Sequence, residues 1–195
     1  MYSFCMTLNE ALEKCKQLAP SVRMIGELFV EDAFAKDMTF RIAEVRRTYE
    51  RQCLLLSQGR TRLEIVRNQF PYGFTLNQQQ MRDMLRIYDN GMTLQGPKVT
   101  WTLNSEHLVG KAMDIYPIKT TYAELGQLAG RWNIRQNIPG DLPHFSFSRA
   151  YIPKPTYIPL ERLAQLQKRI ERASTQDAKD ALERMINRLK KRLGI

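Results

Sequence analysis

The sequence predicts an α+β protein in which a small sheet is flanked by helices. Three short segments, MTFRIAEVRR, KAMDIYPI and LPHFSFS, combine β-forming residues with apolar–polar alternation, which is typical of strands. Several longer segments repeat apolar residues at i, i+3, i+4 and i+7, the spacing of an amphipathic helix. A chain of 195 residues is long enough for one substantial hydrophobic core with an appendage.

The composition indicates an ordinary globular protein, with 43% hydrophobic and 26% charged residues. No run approaches the roughly 18–20 apolar residues of a membrane span. The N-terminal MYSFCMTLNEALEKCKQ lacks the basic and then apolar layout of a signal peptide, so we expect synthesis in the cytosol. Cys5, Cys15 and Cys53 form no CxxC pair, which predicts reduced thiols rather than disulfides.

The first third of the chain predicts two helices, a strand and a short helix. The capping-box pattern at Thr7 predicts a helix that runs to about Leu18, before Pro20. A second helix is expected around 25–36, and MTFRIAEVRR follows as a strand. TYERQCLLLSQGRT then predicts a short helix that ends near Gly59.

The segment 62–97 looks like an insertion that contains a helix. Thr75 or Asn77 would cap this helix, and Asn-Gly and Gly-Pro pairs break the chain after it. The apolar face of the helix would consist of Met81, Met84, Leu85 and Tyr88. Beyond the insertion, KVTWTLN and KAMDIYPI predict strands, YAELGQLAGRW predicts a helix, and LPHFSFS predicts the last strand.

The end of the chain predicts a basic helical tail. YIPKPTYIP at 151–159 would be a stiff, extended, proline-rich connector, and 160–195 carries two apolar stripes separated by a cap at 174–177. The stripes predict a helical hairpin or one bent helix. From residue 151 onward there are 11 Lys and Arg against 5 Asp and Glu, more than half of the net charge of +10. The predicted organisation is therefore a domain at 1–150, the connector and the tail.

The chain has only two histidines, and each stands near an aspartate. His107 and Asp114 are seven residues apart in NSEHLVGKAMDIYP, where Gly110 argues against a helix. A strand, a turn at about 108–110 and a returning strand would let both side chains converge. Imidazole nitrogen and carboxylate oxygen both suit zinc, and His144 would complete three ligands with one position left open. Asp141 would then act as general base for the attacking water.

Three motifs resemble those of one family of zinc peptidases. SEHLVGKAMD fits the pattern S-x-H-x-x-G-x-A-x-D, and DLPHFSF fits D/E-x-x-H. EVRRTYERQCLLLSQGRT resembles an upstream segment of the form YRT-x-x-x-Q…Y-x-x-GRT, and KVTWTLNSEH matches the lead-in to the first motif. Together they cover 41–147 in the family's order. The chain thus resembles the D-alanyl-D-alanine carboxypeptidases and L-alanyl-D-glutamate endopeptidases.

The resemblance implies a metal centre and a fold. It implies Zn²⁺ as the cofactor, with Asp141 as the general base and with ligands at His107, Asp114 and His144. It also implies a small, mostly antiparallel sheet of the hedgehog and DD-peptidase type, flanked by helices, with the tail as a C-terminal extension.

The resemblance further implies residues that bind the substrate. Arg47 matches the family arginine that binds the substrate and steadies the oxyanion, because a fixed guanidinium stabilises developing negative charge. Arg46 is the competing candidate for this role. Ser105 and Gln52 occupy positions that would contact the substrate or orient the site.

The function implied by the resemblance is a zinc endopeptidase that cuts the peptide stems of peptidoglycan at the L-Ala–D-Glu bond. An Asp rather than a Glu at Asp141 is similar to the endopeptidases. LAGRWNIRQNIPGDLPHF lacks the family's W-G-G-x-W run, which predicts a different cleft wall. With no signal peptide, we expect a phage endolysin, made in the host cytoplasm and released to the cell wall by a separate membrane-permeabilising protein.

Two other functions stay open on the sequence. One is a D-Ala-D-Ala carboxypeptidase or dipeptidase, and the other is a virion structural or interaction protein that keeps the peptidase fold. The tail at 160–195 would either bind an anionic wall or membrane surface or pack on the catalytic domain. Only the charge favours nucleic acid, so we do not expect a nucleic-acid partner.

Overall fold

The computed structural model of the chain describes residues 5–68, 70–136, 141–150 and 160–193. Across these ranges the protein is α+β, as predicted, with eight α-helices and one three-stranded antiparallel sheet. The helices are α1 (Leu8–Cys15), α2 (Pro20–Phe34), α3 (Tyr49–Ser57), α4 (Arg62–Val66), α5 (Gln78–Asp89), α6 (Tyr122–Gly130), α7 (Leu160–Arg172) and α8 (Gln176–Leu193). The strands are β1 (Phe40–Glu44), β2 (Ala112–Pro117) and β3 (His144–Ser146), and short 3-10 helices span Pro71–Gly73 and Glu106–Val109.

The sheet has the strand order β1-β2-β3, and both pairs of neighbours are antiparallel. The strands predicted in MTFRIAEVRR, KAMDIYPI and LPHFSFS are confirmed as β1, β2 and β3, although β3 is only three residues long. The register of β1 shifts between Ile42 and Glu44, so that Glu44 lies opposite Asp114. Such a bulge bends and twists a strand locally, and here it lies next to the candidate site.

One face of the sheet is apolar and packs on α2. Met113, Ile115 and Phe145 are fully buried and belong to the main hydrophobic core. The ring of Phe29 on α2 lies 6.2 Å from that of Phe145. A Cβ at Gly26 would collide with the side chain of Leu18, so the glycine lets α2 approach its neighbours closely.

The other face of the sheet is polar, because side chains alternate along each strand. Asp114 and Tyr116 of β2 lie on this face, between core residues that point the other way. Arg41 pairs with Tyr116 from β1, and His144 pairs with Asp114 from β3. We call these four residues and Glu44 the polar face of the sheet.

The tail is a helical hairpin that packs on the rest of its unit. Leu166 of α7 and Ala181, Leu182 and Ile186 of α8 are buried in the main core, which α2 also contributes to. The Thr175 hydroxyl accepts from the Ala178 N–H at 3.1 Å, as the predicted cap requires. The apolar stripes therefore pack within the protein, and the predicted connector at 151–159 lies outside the described residues.

A charged cluster fastens the tail to α2. The Arg188 guanidinium of α8 lies 3.2 Å from the Glu27 carboxylate and 3.1 Å from that of Glu31. Glu31 has no solvent exposure, and burial raises its pKa, while Arg188 and Arg184 lower it. The tail is thus held by a partly buried ion pair as well as by apolar contacts.

The chain divides into two compact units, one formed by Met1–Arg46 with Val109–Ile195 and one formed by Arg47–Leu108. The segment 62–97 contributes α4 and α5 to the second unit, and Asn77 rather than Thr75 caps α5. This unit has its own core, which consists of Cys53, Leu56, Ile65, Leu76, Met84, Ile87 and Leu103.

The strand predicted for KVTWTLN is wrong, since no strand is assigned there. Side chains take the place of a neighbouring strand in this segment. The Gln52 amide donates to Thr100 Oγ1 at 3.1 Å and to the Thr102 carbonyl at 2.7 Å, and Arg60 donates to the Thr100 carbonyl at 2.7 Å. The β-forming residues of the segment therefore do not specify its pairing.

Two predicted helices have shifted ends. The first helix is capped by Thr7 and Glu10 as predicted, but it ends at Cys15 rather than Leu18. The second begins at Pro20 rather than near residue 25, because proline is well suited to the first helical turn, where its missing N–H costs nothing.

Cys5, Cys15 and Cys53 are all free, as predicted. Within the described ranges, no helix is both long enough and apolar enough to cross a membrane.

Candidate metal centre

Two of the predicted ligands lie opposite each other on neighbouring strands. Asp114 of β2 is in register with His144 of β3, and Asp114 Oδ1 lies 3.6 Å from His144 Nδ1. Met113 and Ile115 beside Asp114, and Phe145 beside His144, face the core, so the strand alternation turns the Asp114 and His144 side chains to the polar face. The Ile115 N–H also donates to the Pro143 carbonyl at 2.8 Å, which fixes the start of β3 against β2.

The third predicted ligand, His107, lies in the 3-10 helix Glu106–Val109 and is only 2% exposed. The prediction of a strand before the turn is therefore wrong. The Ser105 hydroxyl accepts from the His107 N–H at 3.3 Å, so Ser105 shapes the start of this helical turn. The His107 carbonyl in turn accepts from the Arg47 N–H at 3.1 Å.

Gly110 makes the turn that the sequence predicted between His107 and β2. Its φ is +65°, a conformation that favours glycine. A Cβ there would come within 2.9 Å of the Ala19 nitrogen and 3.0 Å of the Gln17 carbonyl oxygen. The Gly110 carbonyl accepts from the Ala19 N–H at 2.9 Å, so the turn is fixed to the loop between α1 and α2.

The three predicted ligands form one group that could hold a metal ion. One ligand atom from each of His107, Asp114 and His144 lies within 4.8 Å of the others. Two ligands held about 2.1 Å from a tetrahedral zinc ion are about 3.4 Å apart, which the 3.6 Å Asp114–His144 separation approaches. Two imidazole nitrogens and one carboxylate oxygen also match the donor set of a catalytic zinc with one open position. The residues therefore fit zinc.

Asp141 lies in the turn that leads into β3, three residues before His144. Its carbonyl accepts from the His144 N–H at 3.2 Å, so residues 141–144 form a turn that places Asp141 at the start of β3. The side chain is half-buried. Burial raises the pKa of Tyr116, and the Asp114 and Asp141 carboxylates raise it further.

Arg47 and Gln52 are coupled within the Arg47–Leu108 unit. Arg47 Nη1 donates to Gln52 Oε1 at 2.6 Å, and Gln52 is completely buried. Because the Gln52 amide also donates to the 100–102 segment, it orients the guanidinium from a fixed position. Arg46, the competing candidate, is exposed, whereas Arg47 is half-buried. The structure thus joins Arg47, Gln52 and His107 by hydrogen bonds.

The sequence reasoning missed three residues on the polar side of the sheet. Arg41 Cζ lies 5.0 Å from the centroid of the Tyr116 ring, and both side chains are exposed. Glu44 lies opposite Asp114 because of the bulge in β1. The alternation in FRIAE and the two-residue spacing from Asp114 to Tyr116 could have placed Arg41 and Tyr116 on this face, but only the register shows that they pair.

The chain matches no family model, no curated protein and no solved structure in comparisons with known proteins. The resemblance to zinc peptidases therefore depends on the motifs quoted above. The activity, the substrate and the specific fold type follow from it as proposals.

Proposed function

We propose that the protein is a zinc-dependent endopeptidase that cleaves the peptide stems of peptidoglycan at the L-Ala–D-Glu bond. The observation that carries the proposal is the group of ligand atoms from His107, Asp114 and His144, all within 4.8 Å of one another. The same three residues occupy the ligand positions of the zinc-peptidase motifs. The proposed fold is accordingly of the hedgehog and DD-peptidase type.

In the proposed mechanism the ion supplies Lewis-acid chemistry and the Asp141 side chain transfers protons. A bound zinc would supply Lewis-acid chemistry, which polarises the scissile carbonyl and makes water more acidic. Asp141 takes the proton of the attacking water and returns it to the amine that leaves. Its position one turn before His144 supports this role, because the acid and the ligand are fixed by the same short segment.

Arg47 is proposed to stabilise the negative charge that develops on the carbonyl oxygen. A guanidinium that is already oriented loses little freedom during the reaction, so it stabilises developing charge effectively. The hydrogen bond from Arg47 to the buried Gln52 supplies this orientation. Ser105 is assigned a supporting role, because its hydroxyl accepts from the His107 N–H.

The biological setting is proposed from the same resemblance. The protein would be a phage endolysin that is made in the host cytoplasm and lyses the cell wall after release. The exposed basic residues of the tail, which include Lys168, Arg172, Lys190 and Lys191, would favour the anionic wall or membrane surface. Since the apolar stripes of the tail are buried, such binding would use charge rather than inserted apolar side chains.

The activity is tested by digesting purified peptidoglycan with the zinc-loaded protein and identifying the new chain ends. We expect new N-terminal D-Glu from the wild type. Asp141→Asn should keep its zinc and lose about 10²–10⁴-fold in rate, because only the general base is removed. Asp89→Asn, which makes the same change at an exposed aspartate at the end of α5, serves as the matched control and should cleave like the wild type.

The same digest separates the alternatives. Free D-Ala without new N-terminal D-Glu would identify a carboxypeptidase or dipeptidase that uses the same ligand group. Intact walls with a zinc-loaded wild type would contradict peptidoglycan hydrolysis and favour an interaction protein that keeps the metal centre.

A further inference from the structure

We propose that Arg41 and Tyr116 form a carboxylate-binding subsite beside the metal centre, which selects stem peptides whose D-Glu α-carboxylate is free over those in which it is amidated. The inference rests on the proposed function, and it narrows the class of substrate that the centre accepts. No part of the zinc-peptidase motifs quoted above assigns a role to either residue.

The sheet places this pair at a useful distance from the metal group. Tyr116 follows Asp114 by two residues on β2, so both side chains lie on the polar face. Two residues of an antiparallel strand span about 7 Å. An extended peptide has the same repeat. If the scissile bond lies at the ion held by Asp114 and His144, a side chain one or two residues away from that bond lies at Tyr116.

The Tyr116 ring lies where it can orient the Arg41 guanidinium. The Arg41 and Tyr116 backbones are in register, and Arg41 Cζ lies 5.0 Å from the centroid of the tyrosine ring. Stacking on an aromatic ring restrains a guanidinium while its N–H edges stay available for a bidentate carboxylate. Among the described residues, the ion pairs do not include Arg41, and its side chain is exposed.

Arg41 lies at the edge of the polar face, on β1, and its side chain is exposed, so a substrate can reach it. A guanidinium in this position supplies the positive charge that pairs with a substrate carboxylate.

The test compares two stem tripeptides that differ only in the α-carboxylate of D-Glu, which is free in one and amidated in the other. Dissociation constants are measured by calorimetry with full-length, zinc-loaded protein in the Asp141→Asn background, where hydrolysis is slow. Cleavage rates are measured in the wild-type background. We expect the acid to bind about tenfold or more tightly than the amide, as a hydrogen-bonded ion pair requires.

Three substitutions test whether the preference for the acid over the amide depends on Arg41 and Tyr116. Arg41→Ala should abolish the preference for the acid while leaving the affinity for the amide and for zinc unchanged. Arg41→Lys should retain part of the preference, because lysine keeps the charge but not the bidentate geometry. Tyr116→Ala removes the ring that restrains the guanidinium and should weaken the preference for the acid.

The outcomes separate this inference from the proposed function. Equal affinity for the acid and the amide, or no binding of either peptide, overturns the subsite, whether or not peptidoglycan is cleaved. An Arg41-dependent preference for the acid supports the subsite. If the wild type shows that preference but hydrolyses neither peptide, the peptidase proposal fails while the subsite stands.

Discussion

Asp114 on β2 lies directly opposite His144 on β3, and Asp114 Oδ1 is 3.6 Å from His144 Nδ1. Two strands thus fix the carboxylate and the imidazole before any ion is bound. His107 joins them through the short turn at Gly110, which leaves only four residues between a buried histidine and β2. Preorganised ligands lose little freedom on binding, so the sheet itself would contribute to the affinity for a metal ion at this group.

Replacement of Asp114 by alanine is predicted to remove metal binding without unfolding the protein. The side chain is half-buried on the polar face, so its loss leaves the hydrophobic core unchanged. We expect zinc affinity to fall more than about 100-fold, since even outer partners of ligands contribute 10- to 100-fold. Competition with a chromogenic chelator measures the affinity, and circular dichroism reports the fold. Retained zinc affinity in Asp114→Ala would exclude the carboxylate as a ligand.

Gly110→Ala is predicted to destabilise the turn that carries His107. The positive φ is strained for alanine, and the new Cβ would meet backbone atoms that cannot rotate away. We expect a loss of about 1–3 kcal/mol in the free energy of unfolding and weaker zinc binding. Gly130→Ala is the control, because a Cβ there meets nothing within 4 Å at the end of α6. Equal stability of the two variants would show that the turn tolerates a side chain.

Arg188→Ala is predicted to weaken the docking of the tail on α2. Glu31 is buried, and the substitution removes a hydrogen-bonded cation at 3.1 Å. We expect a loss of about 1–3 kcal/mol near neutral pH, measured by urea unfolding. Lys190→Ala, on the same helix but exposed, should stay within about 0.5 kcal/mol of the wild type. A neutral effect of Arg188→Ala would mean that apolar contacts alone hold the tail.

The same cluster predicts a pH dependence of stability. Burial raises the pKa of Glu31 above its ordinary value, so the unfolded chain releases this proton at a lower pH than the folded protein. The folded protein therefore loses stability as the pH rises from the ordinary glutamate range through the raised pKa. Arg188→Ala should enlarge this loss, and Glu31→Gln should remove it. The free energy of unfolding is measured at several pH values across that range for the wild type, Arg188→Ala and Glu31→Gln. The same dependence on pH in all three proteins would contradict the assignment to Glu31.

Gln52→Ala is predicted to lower kcat while leaving the zinc content intact. The buried amide accepts from Arg47 and donates to Thr100 Oγ1 and the Thr102 carbonyl, so its loss removes one restraint on the guanidinium and one donor to the Thr102 carbonyl. We expect about 1–3 kcal/mol less stability and at least a tenfold lower kcat. Gln79→Ala, an exposed glutamine on α5, controls for the loss of an amide. An unchanged kcat in Gln52→Ala would show that Gln52 does not position a catalytic guanidinium.

The parts of the site that sequence reasoning predicted are those where local pattern fixes geometry. The motif spacing predicted His107, Asp114 and His144 as one group, and alternation predicted the strands that carry two of them. Gly110 was recognised as a turn because few other residues adopt its conformation.

The parts that sequence reasoning missed depend on contacts between distant segments. Gln52 reaches the 100–102 segment from about 50 residues away, so β-propensity alone suggested a strand that does not form. Arg188 meets Glu31 across 157 residues, which no periodicity within the tail could reveal. Arg41 and Tyr116 pair only because the strands adopt one particular register, which includes a bulge that the sequence does not predict.

The most direct test of the central claim is the zinc dependence of peptidoglycan hydrolysis after the metal has been removed and restored. We predict that chelation abolishes the release of N-terminal D-Glu, and that about one zinc per chain restores it in the wild type but not in His107→Ala. Hydrolysis that persists in the fully metal-free protein, or that zinc restores equally in His107→Ala, would contradict the assignment of His107, Asp114 and His144 as the catalytic metal centre.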